Sequence, residues 1–406
     1  MKILLLADGL EAASLSEPAI WLSDLCDQWV IRGHKVQVIA VNPLEPWQEA
    51  EDPPGYSVLR PGPEGFEAVL GEALAEEPDV VHVATGGPLG PRVVEILREL
   101  PVLLDVHDFW PICPNTDLLR RPRMEACGEH FPYPGCGACA GLSRMRAMEE
   151  KVALAATARL VLSHSAFTRV RLNAGLGRPI ELLQHYGVDT NRFRPNPEPP
   201  KSTAVAELWE TRDRPRVLFL GPPTHARGAA RVLDLLVAVR ARVPDVEFVV
   251  AGRDPSNPDW HQVFLSEARE MGLAQRAFAV PSVPRADLPA LYSSCQVAMA
   301  PVVSHEPGGL FVLQAMASGL PVVGSPMGVI QDLITQGAEG MLVQPKDLGS
   351  FTNALATLLI DPMARISFGE TARLRAVEEH DFERTVSKLE ELFHRLRETP
   401  RRRQVA

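Results

Sequence analysis

The feature that most constrains the fold of this chain is an alternation of two patterns along its whole length. Short runs of aliphatic and β-branched residues, beginning with "KILLLA" at 2–7, are typical of buried strands. Between several of them lie segments whose apolar residues recur at helical spacing, such as 18–34, where Gly33 ends the helix. Because strands joined by helical crossovers pair in parallel, the pattern predicts doubly wound parallel α/β sheets.

A proline-rich segment interrupts this alternation in the middle of the chain. Four prolines fall between positions 195 and 200, and the strand pattern starts again at 216. A chain of 406 residues also fits two domains of ordinary size. We expect the carboxyl ends of the two sheets to face one ligand cleft. The predicted segments are a first α/β domain at 1–195, a linker at 196–215, a second α/β domain at 216–380, and a C-terminal helix at 381–406 that packs back on the first domain.

Charge and hydropathy exclude several classes of protein. The formal charge is −10 at pH 7 and the clearest basic run is "RRRQ" at 401–404, so we expect no nucleic-acid partner. The apolar run near the N-terminus covers only 3–7, and no stretch of about 18 apolar residues occurs in the chain. These observations predict a soluble, cytoplasmic protein.

The segment "HEPGGLFVLQAMASGLPVVGS" at 305–325 carries the strongest functional signal. It predicts a helix at 309–318, closed by Gly319 and preceded by a loop that contains Gly308. Glycines let a ligand approach the backbone, and a helix N-terminus suits an anion such as a diphosphate. Glu306 beside such a site indicates a ligand that also has hydroxyls, as a sugar has, because a carboxylate only accepts hydrogen bonds. The alternative is that Glu306 is a solvated loop acid that caps the helix.

This segment resembles the donor-site signature of the family-4 glycosyltransferases of the GT-B fold, E-P-x-G-L-x-x-x-E-A-M-A-x-G-x-P-V-V. Further resemblance lies in "RGHKVQVIA" after the first helix, in "HYGVDTNRFRP" at 185–195 and in "FLGPPTHARGAARVLDLL" at 219–236. The resemblance implies two Rossmann-like domains and a nucleotide-sugar donor. In that family Glu306 would reach the donor sugar, the backbone of Gly308, Gly309 and Leu310 would hold the diphosphate, and Gln314 would contact the ribose.

The chain departs from the family pattern at three places. Gln314 stands where the signature has its second glutamate, and a neutral amide binds a hydroxyl more weakly than a carboxylate does. Where the family has G-R-x-x-x-x-K-G, this chain has "GPPTHARG". Gly221 is therefore kept, Pro222 replaces the arginine, and Arg227 replaces the lysine as the one cation for the diphosphate. The glycine pair expected after the first strand is not apparent, since "DGLEAASLSEP" offers only Gly9.

His107 is the candidate on the acceptor side. It follows a predicted strand in "LLDVHDFWPICP", so it lies at the carboxyl end of the first sheet, and in the family a histidine here lies near the hydroxyls of the donor sugar. A hydrogen-bonded structural histidine is the alternative. Asp8, Asp105 and Asp108 also lie at the ends of predicted strands, but aspartates there also cap helices, and we assign them no role.

Four of the six cysteines cluster in a proline- and glycine-rich insertion at 113–139. Two of them form a C-x-x-C pair, which is how a loop assembles a tetrahedral zinc site. His130 is a substitute ligand, and free thiols or a redox pair are the alternatives. Cys26 and Cys295 are expected to be core thiols. The predicted structural zinc ligands are Cys113, Cys127, Cys136 and Cys139.

Taken with the resemblance, these residues predict a hexosyltransferase-like enzyme of glycan biosynthesis, and the resemblance alone implies that transfer is retaining. It would move a sugar from a nucleotide-diphosphate donor to a glycan, lipid or small-molecule acceptor, with peripheral membrane contact if the acceptor is lipid-linked. No catalytic divalent metal is expected, because Arg227 and the helix N-terminus would take the charge of the leaving group. Two alternatives remain open: a sugar-nucleotide-binding protein that has lost transfer, suggested by Pro222 and Gln314, and a sugar-phosphate epimerase of similar shape.

Overall fold

The computed structural model describes residues 1–10, 16–41, 55–61, 65–86, 89, 91–183, 185–252, 254 and 257–398. The chain forms two compact units. The first consists of Met1–Glu11, Pro18–His185 and Arg384–Ala406, and the second of Ala12–Glu17 and Tyr186–Glu383. The boundary at 185/186 lies ten residues before the predicted end of the first domain, and the short stretch Ala12–Glu17 belongs to the second unit.

The first unit is built on a parallel sheet of seven strands in the order β3-β2-β1-β4-β5-β8-β9, with a small antiparallel hairpin formed by β6 and β7. Its strands are β1 (Lys2–Ala7), β2 (Lys35–Ala40), β3 (Ser57–Leu59), β4 (Val80–Ala84), β5 (Val102–Val106), β6 (Leu119–Arg120), β7 (Glu125–Ala126), β8 (Leu160–Ser163) and β9 (Glu181–Leu182). Its helices are α1 (Glu17–Ile31, whose first residue belongs to the second unit), α2 (Phe66–Ala75), α3 (Pro91–Arg98), α4 (Cys136–Ala140), α5 (Leu142–Thr157) and α6 (Ala166–Leu176).

The central strands of this sheet are apolar along their length because both of their faces are covered. All five residues of β4 and of β5 are buried, as expected for a parallel sheet between helices. Aliphatic side chains of the strands, such as Leu4, Val83 and Leu104, form one core with residues of the covering helices, such as Leu97 and Leu172. Burial of these side chains provides the main stabilisation of the unit.

The last helix, Phe382–Glu398, belongs to the first unit from Arg384 onward. Its buried Phe393 contacts Trp29 and His82, with ring centroids 5.5 and 5.8 Å apart. Glu390 accepts a hydrogen bond from Arg32 at 2.7 Å. The C-terminal segment is therefore held in this unit by an aromatic cluster and by an ion pair at its edge.

The second unit contains a parallel sheet of six strands in the order β12-β11-β10-β13-β14-β15. Its strands are β10 (Arg216–Leu220), β11 (Glu247–Ala251), β12 (Ala277–Val280), β13 (Val297–Ala300), β14 (Val322–Gly324) and β15 (Gly340–Leu342). Its helices are α7 (Thr203–Glu210), α8 (Val232–Arg240), α9 (Trp260–Glu270), α10 (Leu288–Ser293), α11 (Leu310–Ala317), α12 (Ile330–Leu333), α13 (Leu348–Ile360) and α14 (Pro362–Glu379), and the C-terminal helix above is α15. Two short 3-10 helices lie at Ala229–Arg231 and Arg285–Asp287.

This strand order is that of a Rossmann fold, and it reverses between β10 and β13. Ligands of open α/β sheets bind outside the carboxyl ends of the strands at such a reversal. The loops that follow β10 and β13 are therefore the expected ligand-binding region of this sheet.

The predicted linker at 196–215 contains structure of its own. Helix α7 lies within it, and Val205 and Leu208, spaced by one helical turn, are buried in the second unit. The four clustered prolines at 195–200 end before this helix begins, and Pro215 follows it directly before β10. None of the described helices is both long enough and apolar enough to cross a membrane.

Candidate active site

The candidate site in the second unit begins with the loop after β10. Gly221 has φ +115 and Gly228 has φ +81, a region of backbone conformation that side chains disfavour. A β-carbon at Gly221 would meet the guanidinium of Arg227, and one at Gly228 would meet the backbone of Pro301. The two glycines thus let the loop turn back on itself and place Arg227 beside the loop after β13.

Arg227 lies between two carboxylates. Its Nη2 atom is 2.8 Å from Oε1 of Glu17 and 3.0 Å from Oε1 of Glu306. Its guanidinium also lies over the ring of Phe311, 5.0 Å from the centroid. Although burial opposes its charge, Glu306 and then Glu17 raise the pKa of Arg227, so it stays a cation. We refer to Glu17, Arg227 and Glu306 as the Arg227 cluster.

Glu306 is buried, with 4% of its surface exposed. Its carboxylate accepts hydrogen bonds from the backbone N–H groups of Gly308 and Gly309, and its own backbone pairs with Met327 and Val329. Burial raises the pKa of Glu306 to about 7, Arg227 opposes this shift, and Glu17 adds to it. The alternative prediction had Glu306 as a solvated acid that caps the helix. Glu306 does bind the backbone before α11, but it is buried and not solvated.

The two glycines before α11 are required by the backbone and by their neighbours. Gly309 has φ +74, and a β-carbon there would lie 2.6 Å from Cγ1 of Val329. A β-carbon at Gly308 would meet the ring of Tyr186. Glycine is thus needed here for folding, whether or not a ligand approaches. A Gly309→Val variant would disturb the fold as well as any binding.

Leu310 and Gln314 lie on the first turns of α11. The N–H of Leu310 donates to Oε2 of Glu17 at 3.0 Å. Gln314 is 2% exposed, and its Oε1 accepts a hydrogen bond from the hydroxyl of Tyr292 at 3.0 Å. The side-chain NH2 group of Gln314 can only donate hydrogen bonds, so a ligand hydroxyl bound to it would act as the acceptor.

His107 lies in the first unit, directly after β5, and is buried. Its Nε2 is 3.5 Å from Oδ2 of Asp105, and its ring stacks on that of His164 with centroids 4.9 Å apart. Burial lowers the pKa of His107 to about 3, with Asp105 opposing the shift, so the imidazole is neutral at physiological pH.

Asp105 is the centre of this group. It is fully buried and accepts hydrogen bonds from Nε2 of His164 at 2.6 Å and from Nε2 of His82 at 3.0 Å. Although burial opposes ionisation, His107 and His164 hold the pKa of Asp105 well below its usual range. Within the described ranges, Asp105, His107 and His164 are the one set of three potential metal ligands whose ligand atoms lie within 4.8 Å of each other.

Sequence reasoning missed Glu17, His82 and His164. Their signals were present but weak: His164 follows a predicted strand, as His107 does, and the neighbouring strands β5 and β8 bring the two together. His82 lies inside β4, where a buried polar residue needs a partner. Nothing local marks Glu17, because its partners are more than 200 positions away.

The predicted zinc ligands surround one cavity of about 200 Å³ in the first unit. Sγ of Cys139 accepts from the backbone N–H of Arg121 and from Nδ2 of Asn115, each at 3.3 Å, as sulfurs of metal sites often do. The cavity is lined by Cys113, Cys127, Cys136 and Cys139, all free thiols, together with His130. No three of these ligand atoms lie within 4.8 Å of one another in the described structure, so a tetrahedral site is not formed.

Comparison with known families agrees with this architecture. Residues 203–375 match the family Glycosyl transferases group 1, and residues 19–192 match Glycosyltransferase Family 4. Taken together, the two matches show a family-4 glycosyltransferase of the GT-B fold. The predicted glycosyltransferase and its GT-B fold class, with two Rossmann-like domains, are thereby confirmed.

One similar relative of this glycosyltransferase is the GDP-mannose-dependent alpha-(1-6)-phosphatidylinositol monomannoside mannosyltransferase of Mycolicibacterium smegmatis. It is 28% identical over 242 residues, which are 58% of this chain and 62% of the relative. The match thus spans less than two thirds of that relative's length.

Solved structures resemble nearly the whole chain. The sucrose-phosphate synthase of Thermosynechococcus elongatus has a TM-score of 0.77 at 21% identity and covers 98% of this chain and 99% of its own. The Anabaena Alr3699/HepE protein in complex with UDP-glucose has a TM-score of 0.70 at 17% identity and covers 97% of this chain and 100% of its own. At these identities the likeness concerns the fold.

Proposed function

We propose that this glycosyltransferase binds a nucleotide-diphosphate sugar in its second unit and transfers the sugar, with retention, to a glycan or lipid-linked acceptor. The observation that carries the proposal is the Arg227 cluster at the N-terminus of α11. There the guanidinium of Arg227 and the N–H of Leu310 both contact Glu17, and the N–H groups of Gly308 and Gly309 contact Glu306, at the strand-order reversal of a Rossmann sheet. Such a set of donors suits a diphosphate.

In this function the donor's diphosphate is the leaving group, and its negative charge develops as the bond to the sugar breaks. Arg227 and the helix N–H groups would stabilise that charge from fixed positions, which is the most effective form of electrostatic catalysis. Glu306 would accept hydrogen bonds from the sugar's hydroxyls, and the amide of Gln314 would donate to the ribose. No step requires a divalent metal, so addition of a chelator should leave the rate unchanged.

The first unit would supply the acceptor side. His107 is neutral at physiological pH and is fixed by its neighbours, so we propose it as a hydrogen-bonding group for substrate hydroxyls and not as a cation. Asp105 and His164 would position its ring.

A donor screen is the direct test. GDP-mannose, named for the mycobacterial relative, and UDP-glucose, bound in the Anabaena structure, would be compared with other nucleotide sugars by calorimetry and by release of the nucleoside diphosphate. We expect one donor to bind and to be hydrolysed slowly without acceptor. The His107→Ala variant should lose most of this turnover, whereas His394→Ala, which changes an exposed histidine on α15, should keep it.

Two arginine substitutions in the loop after β10 provide a second test of donor binding. Pro222→Arg adds a cation to the loop that holds Arg227 and should tighten nucleoside diphosphate binding by roughly tenfold or more, because each charge-assisted hydrogen bond contributes about 1.5–3 kcal/mol. Pro223→Arg adds the same charge one position away and serves as the matched control. Tight binding without turnover of any donor, even with acceptor extract, would point to a binding protein. Absence of nucleotide binding would refute the proposal altogether.

We also propose that the cysteine cavity takes up one zinc ion, which would draw its four sulfurs together. The support is the shared cavity and the N–H donors to Cys139. Metal analysis of protein purified without added zinc should give about one zinc per chain. The Cys136→Ser variant should lose the metal, and Cys26→Ala, in the core of the same unit, should retain it. A metal-free protein of full stability with four titratable thiols would contradict the proposal.

A further inference from the structure

The carboxylate of Glu17 is bound to two hydrogen-bond donors that we assign to the diphosphate of the sugar donor. This carboxylate is buried, with 7% of the residue exposed, and bridges two groups of the second unit. Oε1 contacts the guanidinium of Arg227 at 2.8 Å, and Oε2 accepts from the backbone N–H of Leu310 at 3.0 Å. These two donors are a guanidinium N–H and a backbone N–H at a helix N-terminus, and both kinds of donor commonly bind phosphates.

The carboxylate of Glu17 does not contact every hydrogen-bond donor of Arg227. Nη1 of Arg227 is buried and makes no hydrogen bond within the described part of the chain. It lies against Gly221, where the missing side chain leaves it room. A carboxylate has two oxygens, and both oxygens of Glu17 already have partners. A phosphate group has a further oxygen, which could accept from Nη1.

The charges of the Arg227 cluster also indicate that Glu17 and a diphosphate do not occupy the site together. Glu17 and Glu306 both contact Arg227, so the cluster holds two carboxylates and one cation. A diphosphate added to this arrangement would meet two carboxylates that already share the guanidinium of Arg227, in surroundings where like charges repel strongly. One carboxylate has to leave before the anion can bind. Glu306 is also held by the N–H groups of two glycines and by its backbone pairing, whereas the described contacts of Glu17's carboxylate are those that a phosphate would replace.

We propose that Glu17 is an internal competitor of the donor: its carboxylate occupies the place of one phosphate group and is displaced when a nucleoside diphosphate binds. The proposal rests on the function proposed above and adds a device for controlling it. With Glu17 in place, Nη2 of Arg227 and the backbone N–H of Leu310 both have a hydrogen-bond partner. Displacement frees one guanidinium contact and one backbone N–H together, so binding of the donor and release of Glu17 are one event.

The test is calorimetric titration of wild-type, Glu17→Gln and Glu17→Ala protein with UDP and with GDP. Glu17→Ala removes the competitor and should tighten binding of the preferred nucleotide by roughly tenfold or more, the equivalent of one lost charge-assisted hydrogen bond. Glu17→Gln keeps the shape and a hydrogen-bond acceptor but removes the charge, and it should give a smaller gain. Asp24→Asn, on the same helix α1, changes the net charge equally and should leave the affinity unchanged.

The outcomes separate the two proposals. If the wild type binds a nucleoside diphosphate and neither Glu17 variant binds it more tightly, the competitor role is refuted while the donor site stands. Weaker binding by Glu17→Ala would also refute it, since Glu17 would then be a ligand of the donor. If no variant binds any nucleoside diphosphate, the proposed donor site fails, and the competitor role fails with it. Glu17→Gln keeps the test valid should the alanine variant not fold.

Discussion

Replacing Arg227 by methionine tests whether the cluster around it is held together by its charge. Methionine keeps an unbranched side chain of similar length, so packing against Phe311 is largely conserved, but Glu17 and Glu306 are left without their cation. Both carboxylates are more than nine-tenths buried. Removing one partner of a buried ion pair costs about 3–5 kcal/mol, because the charge that stays behind is not compensated.

The expected loss is large enough to measure by calorimetry. For a unit of roughly 200 residues, a loss of about 3–5 kcal/mol lowers the melting temperature by about 6–20 °C. Arg276→Met is the matched control in the same unit. Its partner Asp245, 2.8 Å away, is largely exposed, so this pair is worth about 1 kcal/mol or less.

The dependence on pH distinguishes lost charge from lost packing. The pKa of Glu306 is raised to about 7 from an ordinary value of 4.5, so its proton favours the folded state, and the benefit is lost as pH rises from 4.5 through 7. Arg227 opposes this rise. Without Arg227 the pKa moves higher still, and the loss extends to higher pH. A rise of this pKa from about 7 to well above 8 adds a loss of up to about 1.4 kcal/mol at pH 8 that is absent at pH 5.

Denaturation of Arg227→Met at pH 5 and pH 8 therefore gives a clear decision. We expect a larger loss of stability at pH 8, and partial rescue when Glu17→Gln is added to the same protein. A loss no greater than that of Arg276→Met, equal at both pH values, would refute the view that Arg227 holds two buried carboxylates by its charge.

Three further predictions concern single side chains. Gly309→Ala should cost about 1–3 kcal/mol in chemical denaturation, because φ is +74 and a β-carbon would lie 2.6 Å from Val329. Gly177→Ala, at φ +60 with open space, should cost less, and equal losses would contradict this reason. Asp105→Asn should cost about 3–5 kcal/mol at pH 7. Because the folded pKa of Asp105 is depressed, its contribution is present above its ordinary pKa and is lost as pH falls, which denaturation between pH 3 and 7 would show; a constant difference would not fit. Phe393→Ala should cost about 3–5 kcal/mol and expose α15 to protease, whereas a loss below about 1 kcal/mol would mean that α15 is held by other contacts.

Much of the fold follows from local patterns in the sequence. The strand Lys2–Ala7 has its predicted limits, and the helix Leu310–Ala317 lies within the predicted 309–318. Such elements depend on side chains two to four positions apart, which a sequence displays directly. Ser57–Leu59 was not predicted because three residues are too few to show a period. Helix α7 was hidden by the prolines before it, although its buried residues have helical spacing.

The candidate site likewise contains residues that the sequence indicated and contacts that only the folded structure shows. Neighbouring residues in the sequence indicated the glycine turn before α11 and the carboxylate at Glu306, and the resemblance to the family pattern indicated the cation at Arg227. Only the tertiary structure decided that Arg227 contacts Glu17, 210 positions away, and that the N–H of Leu310 donates to the same carboxylate from 293 positions away. Contacts at such separations arise when folded elements pack, and no periodicity records them. They also determine the chemistry, because the pKa of a buried carboxylate is set by the charges beside it and not by its neighbours in the chain.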